Sequence, residues 1–288
     1  MSSTVMIDGQ VVPPEQARVS VFDRGFLYGD SVFESLRTYH GVLFALGEHL
    51  ARLQRSAERV FIPLPVSLDV LRSEVMHAVA VQNSPESYVR LALTRGVGRS
   101  LGLDPELATE PLRVLLVTAL ELPPAEIYER GIAAITFRAE RPSDAPAVAD
   151  AKIGNYLLAV LAMRAARAVG AREALLEDSH GNILEGSTSN VFAVFRGKLT
   201  TPPESFAILP GITRAHVLKL AEAAAMTVEL RAISKLELRA ADEVFICSSI
   251  RELVPVVSID GHPVGPGIPG PTTRELLRLF RLAAAAER

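Results

Sequence analysis

Cysteine, lysine and tryptophan are scarce in this 288-residue chain. Cys247 is the only cysteine, so an intramolecular disulfide and a multi-cysteine zinc or iron–sulfur site are excluded. The six histidines form no HxxxH or HExxH pair, which leaves a zincin, and a metal site generally, without support. A net charge of −3 provides no global basic field for nucleic acid. No uncharged run reaches the roughly 18 apolar residues of a membrane span. The opening MSSTVMIDGQVVPPEQ lacks the basic and apolar regions of a signal peptide. The expectation is a soluble cytoplasmic protein without membrane or nucleic-acid partners. Tryptophan is absent, which decides nothing. Lysine is more telling: Lys152, Lys198, Lys219 and Lys235 stand against 26 arginines, so chemistry that needs an amine has four places to look.

What is present reads as globular, with 49% hydrophobic and 22% charged residues. Val5-Met6-Ile7, Asp8-Gly9 and Val11-Val12 predict a hairpin. VFESLRTY (32–39) predicts a strand with VLFAL as its partner. Leu50, Leu53, Ala57 and Val60 mark the inner face of a helix, and Leu68, Leu71, Val75 and Val79 that of a second. YVRLALTR and RVLLVTAL read as strands around a Gly-rich loop. The prolines of ELPPAE (121–126) punctuate the chain. We expect a small N-terminal α/β domain (1–116), a linker (117–128) and a larger C-terminal domain (129–288). In the second half, residues 153–170 are apolar almost all round and predict a buried helix. EALLED and SNVFAVF read as strands joined by SHGN, with Glu185 in a small-residue loop. A helix follows Pro210-Gly211, DEVFIC is a strand, and an amphipathic helix closes the chain.

Two motifs are decoys. Residues 265–270 match G-x-G-x-x-G, but without a βαβ unit and with two prolines they do not suit a dinucleotide. Gly186-Ser187-Thr188-Ser189 lacks the closing glycine of a nucleophile elbow. Weaker signals converge elsewhere. A Pro-Gly turn leads into the helix at Ile212-Thr213, whose first-turn amides suit an anion. Ser248-Ser249 end a strand, and Arg52 lies on a helix between inward leucines. Lys152 precedes the most apolar helix, where desolvation lowers an amine's pKa. A carboxylate such as Glu185 suits a heteroaromatic nitrogen. Together these are the requirements of pyridoxal phosphate.

At this point the chain resembles the fold-type IV pyridoxal-phosphate enzymes, which comprise branched-chain aminotransferases, D-amino-acid aminotransferases and aminodeoxychorismate lyases. The stretches are LYGDSVFESLR (27–37), EHLARL (48–53), YVR (88–90), AKIGNYL (151–157), LEGSTSNVF (184–192), LPGITR (209–214) and SSIRELVPV (248–256). The resemblance implies a mixed α/β fold of two domains with the cofactor, pyridoxal 5'-phosphate, between them, and a homodimer. It makes Lys152 the Schiff-base lysine and proton shuttle. Glu185 pairs with the ring nitrogen, and Arg52, Ile212, Thr213, Ser248 and Ser249 serve the phosphate. Tyr156 approaches the ring hydroxyl and Leu209 packs on a ring face. For the substrate it implies Tyr28, Ser35, Arg37, Arg90, Arg99 and Arg251.

Membership within the family stays open. Arg90, Tyr28 and Arg37 resemble the branched-chain pattern, which points to transfer of an amino group between an amino acid and a 2-keto acid. Arg99 lies near the carboxylate trap of the D-amino-acid enzymes, offset and without its histidine. Ser35 and Arg251 lean toward 4-amino-4-deoxychorismate lyase, which releases pyruvate and 4-aminobenzoate. A non-catalytic relative that binds an anion at 211–213 is the third reading.

Overall fold

A computed structural model describes residues 3–138 and 150–287. It divides into two compact units, Met1–Glu121 with Ala151–Asn155 and Glu287–Arg288, and Leu122–Asp150 with Tyr156–Ala286.

The first unit is built on β1 (Ser3–Ile7), β2 (Gln10–Val12), β3 (Ser31–Tyr39), β4 (Val42–Leu43), β5 (Ser87–Thr94) and β6 (Leu112–Ala119). The strand order is β2-β1-β6-β5-β3-β4, antiparallel throughout. Asp8 and Gly9 both take positive φ, which closes the tight turn between β1 and β2. VLFAL keeps only two residues as strand. Ala45 adopts φ 53 and the chain turns directly into a helix. The unit's helices are α1 (Arg24–Tyr28), α2 (Leu46–Arg59) and α3 (Leu68–Gln82). Leu50, Leu53 and Ala57 of α2 and Leu71, Val75 and Val79 of α3 pack with Val32, Leu36, Val89 and Leu91.

Strand geometry then assigns two faces to β3. Val32, Glu34 and Leu36 point toward the helices. Phe33, Ser35 and Arg37 point to the opposite face, opposite Ala92, Arg90 and Tyr88 of β5. Residues 151–155 lie along β3. The Phe33 N–H donates to the Lys152 carbonyl at 3.0 Å, and the Gly154 N–H to that of Ser31 at 2.8 Å.

The second unit holds a mixed sheet ordered β12-β11-β10-β14-β15-β7-β8-β9-β13, with β16 paired to β15. Its strands are β7 (Ile132–Arg138), β8 (Glu173–Glu177), β9 (Asn182–Gly186), β10 (Asn190–Phe195), β11 (Lys198–Thr201), β12 (Val228–Leu230), β13 (Ile233–Ser234), β14 (Glu243–Ser248), β15 (Glu252–Ile259) and β16 (His262–Pro263). The β7–β8, β7–β15 and β11–β12 pairs are parallel. The helices are α4 (Glu126–Glu129), α5 (Leu157–Ala168), α6 (Ile212–Ala223), α7 (Lys235–Leu238) and α8 (Pro271–Ala286).

Two expectations are corrected here. Glu185 sits on a strand, β9, not in a loop: the segment 182–186 pairs with β8 and β13 and separates EALLED from SNVFAVF. The apolar helix is not buried. α5 meets its sheet through Ala162 and Ala166, while Leu157 and Val160 are 65% and 59% exposed. A helix apolar on all sides carries no directional pattern, and one sheet layer covers only one stripe of it.

Candidate active site

In the first unit, α2 carries His49, Arg52 and Ser56 at spacings of three and four, on one helical face. All three are buried. Arg52 donates to Glu34 through Nε and Nη2, each at 2.7 Å, and His49 Nδ1 lies 2.7 Å from Glu34 Oε2. Ser56 Oγ accepts the Lys152 amide at 3.0 Å. Burial works to raise the Glu34 carboxyl, but the charge and hydrogen bonds of Arg52, joined by His49, overcome it and hold the group at about 2. Burial pushes His49 down despite Glu34, so the ring is neutral near pH 7. An ionised carboxylate only accepts, so His49 donates from Nδ1.

The other face of β3 carries a second group. Lys152 Nζ lies 4.6 Å from the Phe33 ring centroid, and Arg90 Cζ lies 3.8 Å from the same centroid. Both distances suit a cation over an aromatic ring. The Ser35 and Tyr88 hydroxyls are 3.1 Å apart, and Ser35 stands opposite Arg90 in the strand register. The structure therefore brings Lys152, Arg90 and Ser35 together on one sheet surface.

The remaining arginines are engaged differently. Arg37 is buried, pairs with Glu86 at 2.9 Å and stacks on Tyr39. Arg99 is exposed in a loop, where its amide donates to Leu107. Tyr28 is tied to that loop, its hydroxyl accepting from Gly102 N–H at 3.1 Å. Arg24 reinforces the tie by donating to the carbonyls of Gly102 and Leu103.

In the second unit, Glu185 Oε2 accepts the Leu209 amide at 3.1 Å, and Asn190 Nδ2 donates to the Leu209 carbonyl at 2.9 Å. These bonds set the turn into α6. Its N-cap is Gly211, and no side chain caps the helix. A Cβ on Gly211 would collide with Asn190 Oδ1, so glycine is required for this close approach. The first-turn amides, including those of Ile212 and Thr213, have no intrahelical acceptor. Thr213 Oγ1 is buried and has no hydrogen-bond partner among the described residues. The donor set is that of an anion cradle.

Ser248 ends β14, and its hydroxyl accepts the Arg251 amide at 3.4 Å; Ser249 follows. Arg251 donates to buried Glu173 at 2.7 Å and to Thr188 Oγ1 at 3.0 Å. Glu173 also accepts from Ser187 and Ser189. Burial raises the Glu173 carboxyl, and Arg251 with Ser187 outweighs it, leaving a net lowering. Tyr156 is the N-cap residue of α5. Cys247, pushed by burial to about 12, is an inert core thiol.

Sequence reasoning missed Glu34, His49, Phe33, Tyr88 and Glu173. For the first two a signal existed. Glu34 interrupts an apolar strand, and His49 and Arg52 share the inward face of α2 with Leu50 and Leu53. Polar residues at buried positions require partners.

Residues 31–259 match the family described as amino-transferase class IV. The chain is 41% identical over 280 residues to a putative branched-chain-amino-acid aminotransferase of Methanocaldococcus jannaschii, covering 96% of this chain and 95% of that protein. It is 35% identical to a D-alanine aminotransferase of Bacillus licheniformis, with 94% of each covered. Its fold matches the crystal structure of a T.th. branched-chain amino acid aminotransferase with pyridoxamine 5'-phosphate, at TM-score 0.93 and 31% identity, over 99% of this chain and 95% of that one. The chain belongs to the class IV aminotransferase family.

Proposed function

We propose that the protein is a pyridoxal-phosphate-dependent aminotransferase that moves an amino group between a branched-chain L-amino acid and a 2-keto acid. One observation carries the reading: Lys152 Nζ and Arg90 share the Phe33 ring. An amine for proton transfer thus stands beside a guanidinium suited to a carboxylate. Arg90 is the one half-buried arginine among the candidates with no carboxylate partner among the described residues. Arg37, Arg52 and Arg251 are committed to Glu86, Glu34 and Glu173. The two residues that leaned toward a lyase have partners of their own, Ser35 in Tyr88 and Arg251 in Glu173. The relatives compared are aminotransferases, which favours transamination over the lyase and the non-catalytic reading.

The residues fit the cofactor. The orphan Thr213 hydroxyl and the uncapped start of α6 suit its phosphate, with Arg52, Ser248 and Ser249 as further donors. Glu185 would hold the ring nitrogen, Leu209 would pack on the ring, and Tyr156 would serve the ring hydroxyl. When bound, pyridoxal phosphate supplies an aldehyde for the amino group and a ring that spreads negative charge. Lys152 Nζ takes the substrate α-proton and returns it. Arg90 would bind a substrate carboxylate, and the Phe33 ring lies against both side chains.

A homodimer belongs to the same proposal. Phe22, Phe26, Leu101 and Leu103 are exposed around α1 and its tied loop, as is the outer face of α5. Apolar surface of this kind suits a second copy, and Tyr28 and Arg99 lie within the first of these regions. A cytoplasmic setting suits a chain with a single, buried cysteine.

The test is the cofactor's visible absorbance during half-reactions with L-leucine, L-glutamate and D-alanine. Bleaching by the L-amino acids, lost in Lys152→Ala, is the expected result. Bleaching by D-alanine alone transfers the assignment to the D-amino-acid class. No bleaching by any of the three refutes transamination.

A further inference from the structure

Glu34 and Arg52 form a buried ion pair with Glu34 0% and Arg52 3% exposed. Such a pair is a poor stabiliser, because apolar side chains of similar volume would hold the same helix to the same strand at least as well. The surroundings are apolar: Leu50, Leu53, Val32 and Leu36 belong to one core. Packing alone does not call for a carboxylate here.

The geometry of the pair is specific. Nε and Nη2 of Arg52 each donate at 2.7 Å, one to each carboxylate oxygen. This two-point contact fixes the plane of the guanidinium as a single bond would not. His49 Nδ1, at 2.7 Å from Oε2, fixes the carboxylate in turn. One helical turn after Arg52, Ser56 accepts the Lys152 amide. The same face of α2 therefore sets both the Arg52 side chain and the Lys152 backbone.

We propose that Glu34, locked by His49, is a positioning residue that holds Arg52 by one edge of its guanidinium and so orients it for the cofactor phosphate. This rests on the assignment of Arg52 to that phosphate. Glu34 itself touches neither cofactor nor substrate in this scheme. Its effect is felt only by ligands that carry the phosphate.

The experiment compares pyridoxal 5'-phosphate with pyridoxal, which lacks the phosphate. Dissociation constants for both are measured by absorbance on the full-length protein and on Glu34→Gln and Arg52→Lys. The readout is the ratio of the two affinities, which a general loss of stability leaves unchanged. Glu34→Gln is expected to lower the preference for the phosphorylated ligand by about tenfold, equivalent to roughly 1.4 kcal/mol, with pyridoxal binding unchanged. A folded Glu34→Gln protein with the unaltered ratio overturns the proposal. If Glu34→Gln does not fold, Glu34→Asp decides: it keeps the charge, shortens the reach by one methylene and is expected to lower the ratio likewise. An unaltered ratio in Glu34→Asp also overturns the proposal. Arg52→Lys separates the two levels. A lowered ratio there with an unaltered one in the Glu34 variant refutes the positioning role alone. An unaltered ratio in Arg52→Lys refutes the phosphate assignment, and the positioning role with it.

Discussion

The acid side of the stability curve gives a sharp test of the Glu34 cluster. In the folded chain the Glu34 carboxyl titrates at about 2 instead of its ordinary 4.5. A carboxyl whose folded value is depressed contributes stability that is complete above its unfolded value and is lost as pH falls toward the folded one. The window is therefore pH 4.5 down to about 2. At 1.36 kcal/mol per unit, the contribution is about 3 kcal/mol. No discount for solvent applies, since Glu34 is fully buried.

Other carboxyls titrate in this range, so the quantity to follow is the difference between the natural protein and Glu34→Gln. Urea unfolding of cofactor-free protein, followed by circular dichroism, supplies it at each pH. At pH 7 the variant is expected to be less stable by about 3–5 kcal/mol, because Arg52 is left charged and unpaired in the core. That gap is expected to shrink by about 3 kcal/mol between pH 4.5 and 2. His49, driven down by burial, adds its own pH dependence, and a His49→Gln background removes it. A gap that stays constant across the window would refute the argument, because the Arg52 bond would then not depend on Glu34 ionisation.

Three further outcomes follow from local geometry. Thr213→Val removes a buried hydroxyl that has no partner among the described residues. Cofactor-free protein should keep its stability or gain up to about 1 kcal/mol, while the cofactor dissociation constant rises about tenfold; urea titration and absorbance measure the two. Gly211→Ala drives a Cβ into Asn190 Oδ1 and displaces the Asn190–Leu209 bond. A loss of about 1–3 kcal/mol is expected in thermal unfolding, together with weaker cofactor retention. Arg90→Leu should raise KM for the amino acid by about 10- to 100-fold, the value of one charge-assisted bond, with the cofactor spectrum unchanged. Steady-state kinetics decides, and an unchanged KM would return Arg90 to a structural role on Phe33.

Much of this architecture was legible because local signals agreed with the fold. The Asp8-Gly9 hairpin, the inward leucines of α2 and α3, and the Pro-Gly entry to α6 combine turn chemistry with clean periodicity. What was not legible lacked such agreement. The segment 182–186 is short and carries an acid near its end, so it reads as loop until β8 and β13 pair with it. The segment 157–168 is apolar on every side, so its pattern announced burial without a direction, and only a stripe of alanines met the sheet. In the site, Lys152 stood out by scarcity and Gly211-Ile212-Thr213 by its turn. Glu34 and Glu173 did not, since a buried acid is recognisable only through the arginine that folding brings to it.

The arginines show why that last step needs three dimensions. With 26 in the chain, neither rarity nor neighbourhood separates a substrate ligand from a structural cation. Partners do. A carboxylate within 2.9 Å already neutralises Arg37, Arg52 and Arg251, and each would have to give up a buried bond to bind a substrate carboxylate, at an expense of several kcal/mol. Arg90 rests instead on an aromatic ring, an interaction worth about 0.5–2 kcal/mol that survives when an anion approaches the guanidinium edge. The weaker existing contact is what makes Arg90 the better candidate for a substrate carboxylate.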